Sequence, residues 1–200
     1  MTDYFALLNE QRRPLVDLDL LKQKFLAFSA EVHPDRVHGA EESERRIAQQ
    51  RYAELNAAYH CLREPKERLA HLIELETGAK PKQVQNVPAG LMNAFMEITD
   101  ACRGADGFLG ERNSMTSPLL KLQLFERGQE WNEKLIGLQQ KVNGWREEVM
   151  TRVKSIDEEW GASSEKRREL IGELETQCQL LGYFGRWSSQ IQERIVQLSL

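Results

Sequence analysis

The chain has 200 residues and a formal charge of −4, with 40% hydrophobic and 29% charged residues. That composition excludes a disordered chain, and the slight acidity argues against a general nucleic-acid binder. No apolar run approaches the roughly 18 residues needed to cross a bilayer.

The start, MTDYFALLNEQRRP, lacks the basic and apolar regions of a signal peptide and is not an Arg-rich transit sequence. A cytoplasmic protein with no membrane or nucleic-acid partner is therefore expected. Cys61, Cys102 and Cys178 are odd in number, far apart and in no C-x-x-C pair. They read as reduced thiols, with no zinc site and no cofactor implied.

The pattern is helical almost throughout. DYFALL is a short apolar segment able to lie across a larger pair of helices. Leu18, Leu21, Phe25, Phe28 and Val32 then recur at spacings of three and four, the signature of one helix stripe. Asp17 is its candidate N-cap, and Pro34 stops it. A second stripe runs through Ala48, Tyr52, Leu55, Tyr59 and Leu62. Two such helices joined by a short loop predict an antiparallel hairpin, and Pro65 ends or bends the second.

Residues 77–90, TGAKPKQVQNVPAG, carry two glycines and two prolines and predict a domain boundary. A short helix, LMNAFMEITDACR, follows. The glycine-containing stretch from Gly104 to Pro118 predicts a loop. Two long helices complete the chain. Trp131, Leu135, Leu138, Val142, Trp145, Val149 and Val153 mark one stripe. Leu170, Leu174, Leu181, Phe184, Ile191, Ile195 and Leu198 mark the other. Gly161 with Ser163 or Ser164 provides the stop and the next cap. The fold class predicted is all-α: a helical hairpin in 1–76, a linker over 77–90, and a three-helix bundle in 91–200.

The conspicuous chemistry is the triplet His33-Pro34-Asp35, followed by Arg36. Pro34 stiffens the chain where the first hairpin helix ends. His33 sits where the helix dipole favours a cation, and Asp35 and Arg36 project from the loop. An isolated triplet of this kind is most simply a helix stop with an Asx-type turn. This one is framed by Phe25, Phe28 and Val32 before it and by Leu55, Asn56, Ala58, Tyr59, Leu62, Pro65 and Arg68 after it.

That arrangement, over roughly residues 3–73, resembles a J-domain, the DnaJ-type co-chaperone module. The resemblance implies that His33, Pro34 and Asp35, with Arg36, Lys22 and Lys24, dock on a DnaK-type chaperone and stimulate its ATP hydrolysis. The run FSAEV stands where the family is more basic. The chain has neither the Gly/Phe-rich segment nor the zinc repeats of general DnaJ proteins. DYFALL, REPKERLAHLIEL and the C-terminal helices instead resemble the HscB (Jac-type) family of iron-sulfur cluster assembly co-chaperones. That resemblance implies a scaffold partner of the IscU type, delivered to an HscA-type chaperone. It places the scaffold-binding face on Leu91, Met92, Phe95, Glu97 and Asp100, with Asn93 where the family often has an acid.

Read without the resemblance, Leu91, Met92, Phe95 and Met96 mix one helical face with its neighbour, and packing into their own bundle is the simpler role. His33, Asp35 and His38 lack the spacing of a helical metal site. No phosphate loop and no nucleophile elbow occurs. The four tryptophans, Trp131, Trp145, Trp160 and Trp187, fall in or beside helical seams, and His60 and His71 read as surface or partly buried. The expectation is a non-enzymatic protein. A J-domain protein with a different client, or acting as a tether, is the alternative.

Overall fold

The structure is a computed structural model that describes residues 2–33, 39, 41–81, 88–115 and 118–199. Among these residues there is no strand. Seven helices follow one another: α1 Tyr4–Leu7, α2 Leu18–Glu31, α3 Glu42–Arg63, α4 Pro65–Thr77, α5 Met92–Ser114, α6 Pro118–Trp160 and α7 Ser164–Ser199. A 3-10 turn, Ala89–Leu91, leads into α5. The chain divides into two compact units. One comprises Met1–Lys82 with Thr151–Cys178, the other Gln83–Met150 with Gln179–Leu200. The first unit thus adds residues 151–178, the end of α6 and the start of α7, to the N-terminal helices.

In the first unit each helix end has a local chemical cause. Asp3 accepts from the backbone N–H groups of Phe5 at 3.0 Å and Ala6 at 3.2 Å, capping α1. Asn9, at φ 52, turns the chain out of α1, and asparagine tolerates that left-handed geometry. Asp17 caps α2 through the N–H groups of Asp19 and Leu20, both at 3.0 Å. Pro65 occupies the first turn of α4, where its missing N–H leaves nothing unsatisfied. Gly78 closes α4 at φ 77, a conformation that strains any side chain, and its N–H reaches the carbonyl of Glu74 at 2.9 Å.

Helices α2 and α3 pair as the antiparallel hairpin expected. Phe25 stacks on Tyr59 with ring centroids 4.4 Å apart, and His33 meets Tyr52 edge-on at 5.5 Å. Leu21, Ala48, Leu55 and Leu62 are buried, together with Phe5 and Leu8 of the α1 region. Leu18, expected on the buried stripe, is instead 54% exposed. The register set by Phe25 and Tyr59 carries Leu18 past the end of α3 at Arg63, so no α3 side chain covers it. Val153, Ile156, Trp160, Leu170, Leu174 and Cys178 are the buried apolar residues that 151–178 contributes to this unit.

In the second unit α5 and α6 run antiparallel, fixed by ion pairs from Glu97 to Lys141 at 2.8 Å and from Glu111 to Arg127 at 2.9 Å. α7 runs antiparallel to α6, with Gln139 donating to Ser188 at 2.9 Å and Trp145 against Phe184. It runs parallel to α5, with Arg194 on Asp106 at 2.8 Å and Arg112 donating to the carbonyls of Gln197 and Leu198.

The loop expected from Gly104 is helix as far as Ser114. Ala101, Cys102, Ala105, Phe108 and Leu109 are buried at helical spacing. Gly104 is there because Trp131 packs onto it: a Cβ would lie 2.9 Å from two atoms of the indole ring. A missing side chain makes room for a large one, and the glycine read as a breaker is a packing residue.

Candidate functional site

The candidate site on the first unit is built on α2 and the segment after it. α2 ends at Glu31, Val32 follows as its C-cap, and His33 is half-buried against Tyr52. Pro34, Asp35 and Arg36 lie outside the described residues, as does His38. Lys22 and Lys24 are two residues apart on one helix, hence about 200° apart around it. The ammonium of Lys24 donates to the carbonyl of Asn9 at 2.6 Å and pairs with Glu10 at 2.8 Å. Lys22 is exposed. So Lys24 is engaged in holding the turn after α1 against α2, and Lys22 is the α2 cation turned to solvent. The Lys22 stripe also carries the exposed Leu18 and Leu26, each four residues away.

This hairpin is fastened from beneath by a polar network that the periodicity does not signal. The buried Asp157 accepts from Arg13 Nη2 at 2.5 Å and Nε at 3.3 Å, and from the N–H of Leu15 at 3.0 Å. Trp160, fully buried, donates its indole N–H to the carbonyl of Arg12 at 2.9 Å. Arg68 is buried too and donates to the carbonyls of Pro14 at 2.8 Å and Leu62 at 2.5 Å. Burial pulls its guanidinium down to about 10, against the pull of Cys61, Asp157 and Glu64. Its donors satisfy a loop carbonyl at Pro14 and a last-turn carbonyl of α3 at Leu62, which is why a charged side chain is tolerated inside.

His71, read from sequence as surface or partly buried, is buried. Its Nε2 accepts from the N–H of Tyr4 at 3.1 Å, and its ring lies against Tyr4 and Phe5. Burial lowers its pKa below the ordinary value, while Asp3 and Glu74 pull the other way. The neutral ring is the form that can accept from Tyr4. His60 is exposed.

The candidate site on the second unit is the first turn and a half of α5. Taking 100° per residue, Leu91, Phe95, Met92 and Met96 fall within about 140° of one another. Leu91 is half-buried, while Met92, Phe95 and Met96 are 42%, 37% and 58% exposed. Leu91 and Phe95 lie on the same stripe as the buried Ile98, Cys102, Ala105 and Leu109. The bundle seam therefore runs out to solvent at its N-terminal end, with two methionines beside it. Three large apolar side chains left partly exposed within five residues is an unusual allocation of surface. Leu91 and Phe95 thus pack in part into their own unit, the simpler sequence reading, while Met92 and Met96 stand out further from it. Acidic groups border the patch: Glu97 pairs with Lys141 at 2.8 Å and Asp100 faces Arg103 at 3.5 Å.

The sequence-derived residues thus fall into two separately built groups: Lys22, Lys24 and His33 on the first unit, and Leu91, Met92, Phe95, Glu97 and Asp100 on the second. Arg13, Asp157 and the exposed Ile47 of α3 were not found from sequence. Asp157 is 144 residues from its partner and has no local signature.

No protein-family model matches the chain. Among curated proteins, the co-chaperone protein HscB homolog of Bordetella pertussis is 35% identical over 128 residues, covering 60% of this chain and 74% of that protein. Its counterpart in Bordetella avium is 32% identical over 134 residues, with 62% and 78% covered. Among solved structures, chaperone HscB from Vibrio cholerae superposes with a TM-score of 0.68 over 98% of this chain and 99% of that one, at 20% identity. The human co-chaperone protein HscB gives 0.69 over 96% and 82%, at 16% identity. These two structures share the fold, an all-α arrangement with the hairpin first and the helical bundle after it. With a third of the aligned residues identical to relatives of which it spans about three quarters, this chain belongs to the HscB co-chaperone family.

Proposed function

We propose that this co-chaperone stimulates ATP hydrolysis by an HscA- or DnaK-type chaperone and delivers an IscU-like scaffold protein to it, in iron-sulfur cluster assembly in the cytoplasm. The hydrolytic chemistry belongs to the chaperone; this chain is a binding protein and needs no cofactor of its own. The working modules are residues 1–76 and 91–200, joined by 77–90, with 151–178 bracing the first. Membership of the HscB family supports the chaperone role. No helix among the described residues is long and apolar enough to cross a membrane.

His33, Pro34, Asp35 and Arg36, with Lys22, form the chaperone contact. Lys24 contributes through the turn it fastens. Leu91, Met92 and Phe95, bordered by Glu97 and Asp100, form the scaffold contact. The observation that carries the second assignment is the exposure of Met92, Phe95 and Met96 on one continuous face. Covering what remains exposed of these three side chains is worth about 1 kcal/mol each, about a hundredfold in affinity together.

Two experiments test the reading. In a steady-state ATPase assay with the chaperone, Asp35→Asn abolishes stimulation; stimulation equal to wild type refutes the chaperone contact. In a pull-down of the scaffold, Leu91→Ala/Phe95→Ala weakens capture at least tenfold; undiminished capture removes this face. Capture of some other protein by the same face, with no scaffold bound, would favour the reading in which the client differs.

A further inference from the structure

The sulfur atoms of this chain are distributed unevenly. Cys102 and Cys178 are buried, and Cys61 is partly so. Burial pushes the Cys61 and Cys178 thiols up to about 11 and raises that of Cys102. None of the three is therefore held as the thiolate that oxidants attack. Met115 and Met150 are half-buried. Met92 and Met96, by contrast, stand 42% and 58% exposed, either side of Phe95 on the scaffold-facing helix. The accessible oxidisable sulfur of the described residues is thus concentrated on one apolar face, the one whose function requires it to stay apolar.

We infer that Met92 and Met96 form an oxidant-responsive modification site that releases the scaffold protein when they are converted to sulfoxides. The inference rests on the scaffold-binding reading of this face. The oxidant is hydrogen peroxide. A sulfur lone pair attacks one peroxide oxygen, an S–O bond forms as the O–O bond breaks, and the departing hydroxide takes the remaining proton as water. Sulfur gives up two electrons and the peroxide gains them. The product is a polar, hydrogen-bond-accepting group where a flexible apolar one stood. A partner packed against Phe95 would have to bury two such groups without donors, at a cost per group comparable to an unsatisfied polar atom. Reduction of the sulfoxide by thiols, through an enzyme, makes the switch reversible.

The test uses the full chain and purified IscU-like scaffold protein. After brief hydrogen peroxide treatment and removal of the oxidant, peptide mass spectrometry follows each methionine and calorimetry measures capture. Met92 and Met96 gain oxygen ahead of Met115 and Met150. Capture weakens at least tenfold and is restored by methionine sulfoxide reductase. Met92→Leu/Met96→Leu, compared only with its own untreated form, loses no affinity on peroxide treatment. Oxidised wild type binding within twofold of untreated protein overturns the inference, as does a leucine variant that weakens as much as wild type. The untreated Phe95→Ala variant separates the two levels. Full binding by that variant removes the docking face and the switch with it. Weakened binding by that variant, with peroxide-insensitive wild type, removes only the switch.

Discussion

Replacing Asp157 with alanine probes the fastening that holds the N-terminal segment to residues 151–178. The carboxylate is buried and accepts three hydrogen bonds, at 2.5 and 3.3 Å from Arg13 and 3.0 Å from the N–H of Leu15. Breaking a fully buried pair by removing one partner costs about 3–5 kcal/mol. Here the Arg13 side chain is 43% exposed and regains water when released, so its share is discounted. The Leu15 N–H loses its acceptor, worth about 1–2 kcal/mol. The expected loss for Asp157→Ala is about 2–3 kcal/mol, and for Arg13→Ala about 1–2 kcal/mol, since the carboxylate then keeps only Leu15. Because both variants remove one interaction, the double variant should fall short of the sum by about 1 kcal/mol. Urea unfolding followed by tryptophan fluorescence and circular dichroism reads these values, and Trp160 lies in the affected unit. A loss below about 0.5 kcal/mol for Asp157→Ala, or additivity within that margin, refutes the argument.

Three further outcomes follow from other parts of the molecule. Gly107 sits in α5 with open space where a Cβ would go, so Gly107→Ala stabilises by up to about 1 kcal/mol. Gly104→Ala drives its new methyl into Trp131 and falls about 2 kcal/mol below Gly107→Ala in the same thermal or urea assay. Equal behaviour of the two refutes the packing role of Gly104. His71 binds its proton less tightly folded than unfolded, so the unfolded chain takes up more protons as pH falls. Its stabilising contribution is complete above the unfolded value of 6.5 and declines below it, towards the lower folded value. Wild type should lose more stability between pH 7.5 and 5.5 than His71→Asn, and identical slopes would contradict this. Finally, Lys22 is the exposed cation of α2, among exposed leucines, while Lys24 is paired. Chaperone stimulation should weaken less than tenfold from low to moderate salt, with Lys22→Ala costing about 1 kcal/mol or less. A fall of a hundredfold would show a strongly electrostatic contact instead.

What was legible in the sequence was whatever repeats at short range. The stripes through Leu21 and Phe25, through Leu55 and Leu62, and through Leu135 and Val142 come from a helix turning 100° per residue, and each produced its helix. Asp17 as a cap, Pro65 as a break and Ser163 before α7 are equally local; Ser163 accepts from the N–H of Lys166 at 3.0 Å. The stretch after Gly104 was misread because a glycine's local propensity and its tertiary use oppose each other. Trp131, 27 positions away, decides which prevails. Lys24 shows the same limit in the candidate site. Nothing near it announces that Asn9 and Glu10 occupy its ammonium, and only the fold separates it from Lys22.

The face on α5 carries this point to function. Leu91 and Phe95 belong to one unbroken stripe with Ile98, Cys102, Ala105 and Leu109, so no periodicity could divide buried from exposed positions along it. The division is made by where the neighbouring helices stop covering it. From Ile98 onward the stripe is buried, and before it the same kind of side chain is only partly covered. An apolar seam left open at one end is costly for an isolated protein and useful for one that must take up a partner. To the proposed scaffold partner it would offer a surface already shaped for helix packing, on a helix whose other end is fixed by Asp106, Glu111 and Arg112. A rigid platform of this kind spends little ordering entropy on binding. On the proposed scaffold reading, affinity depends on the few side chains at the opening, so truncating Phe95 should act on capture while leaving the fold intact.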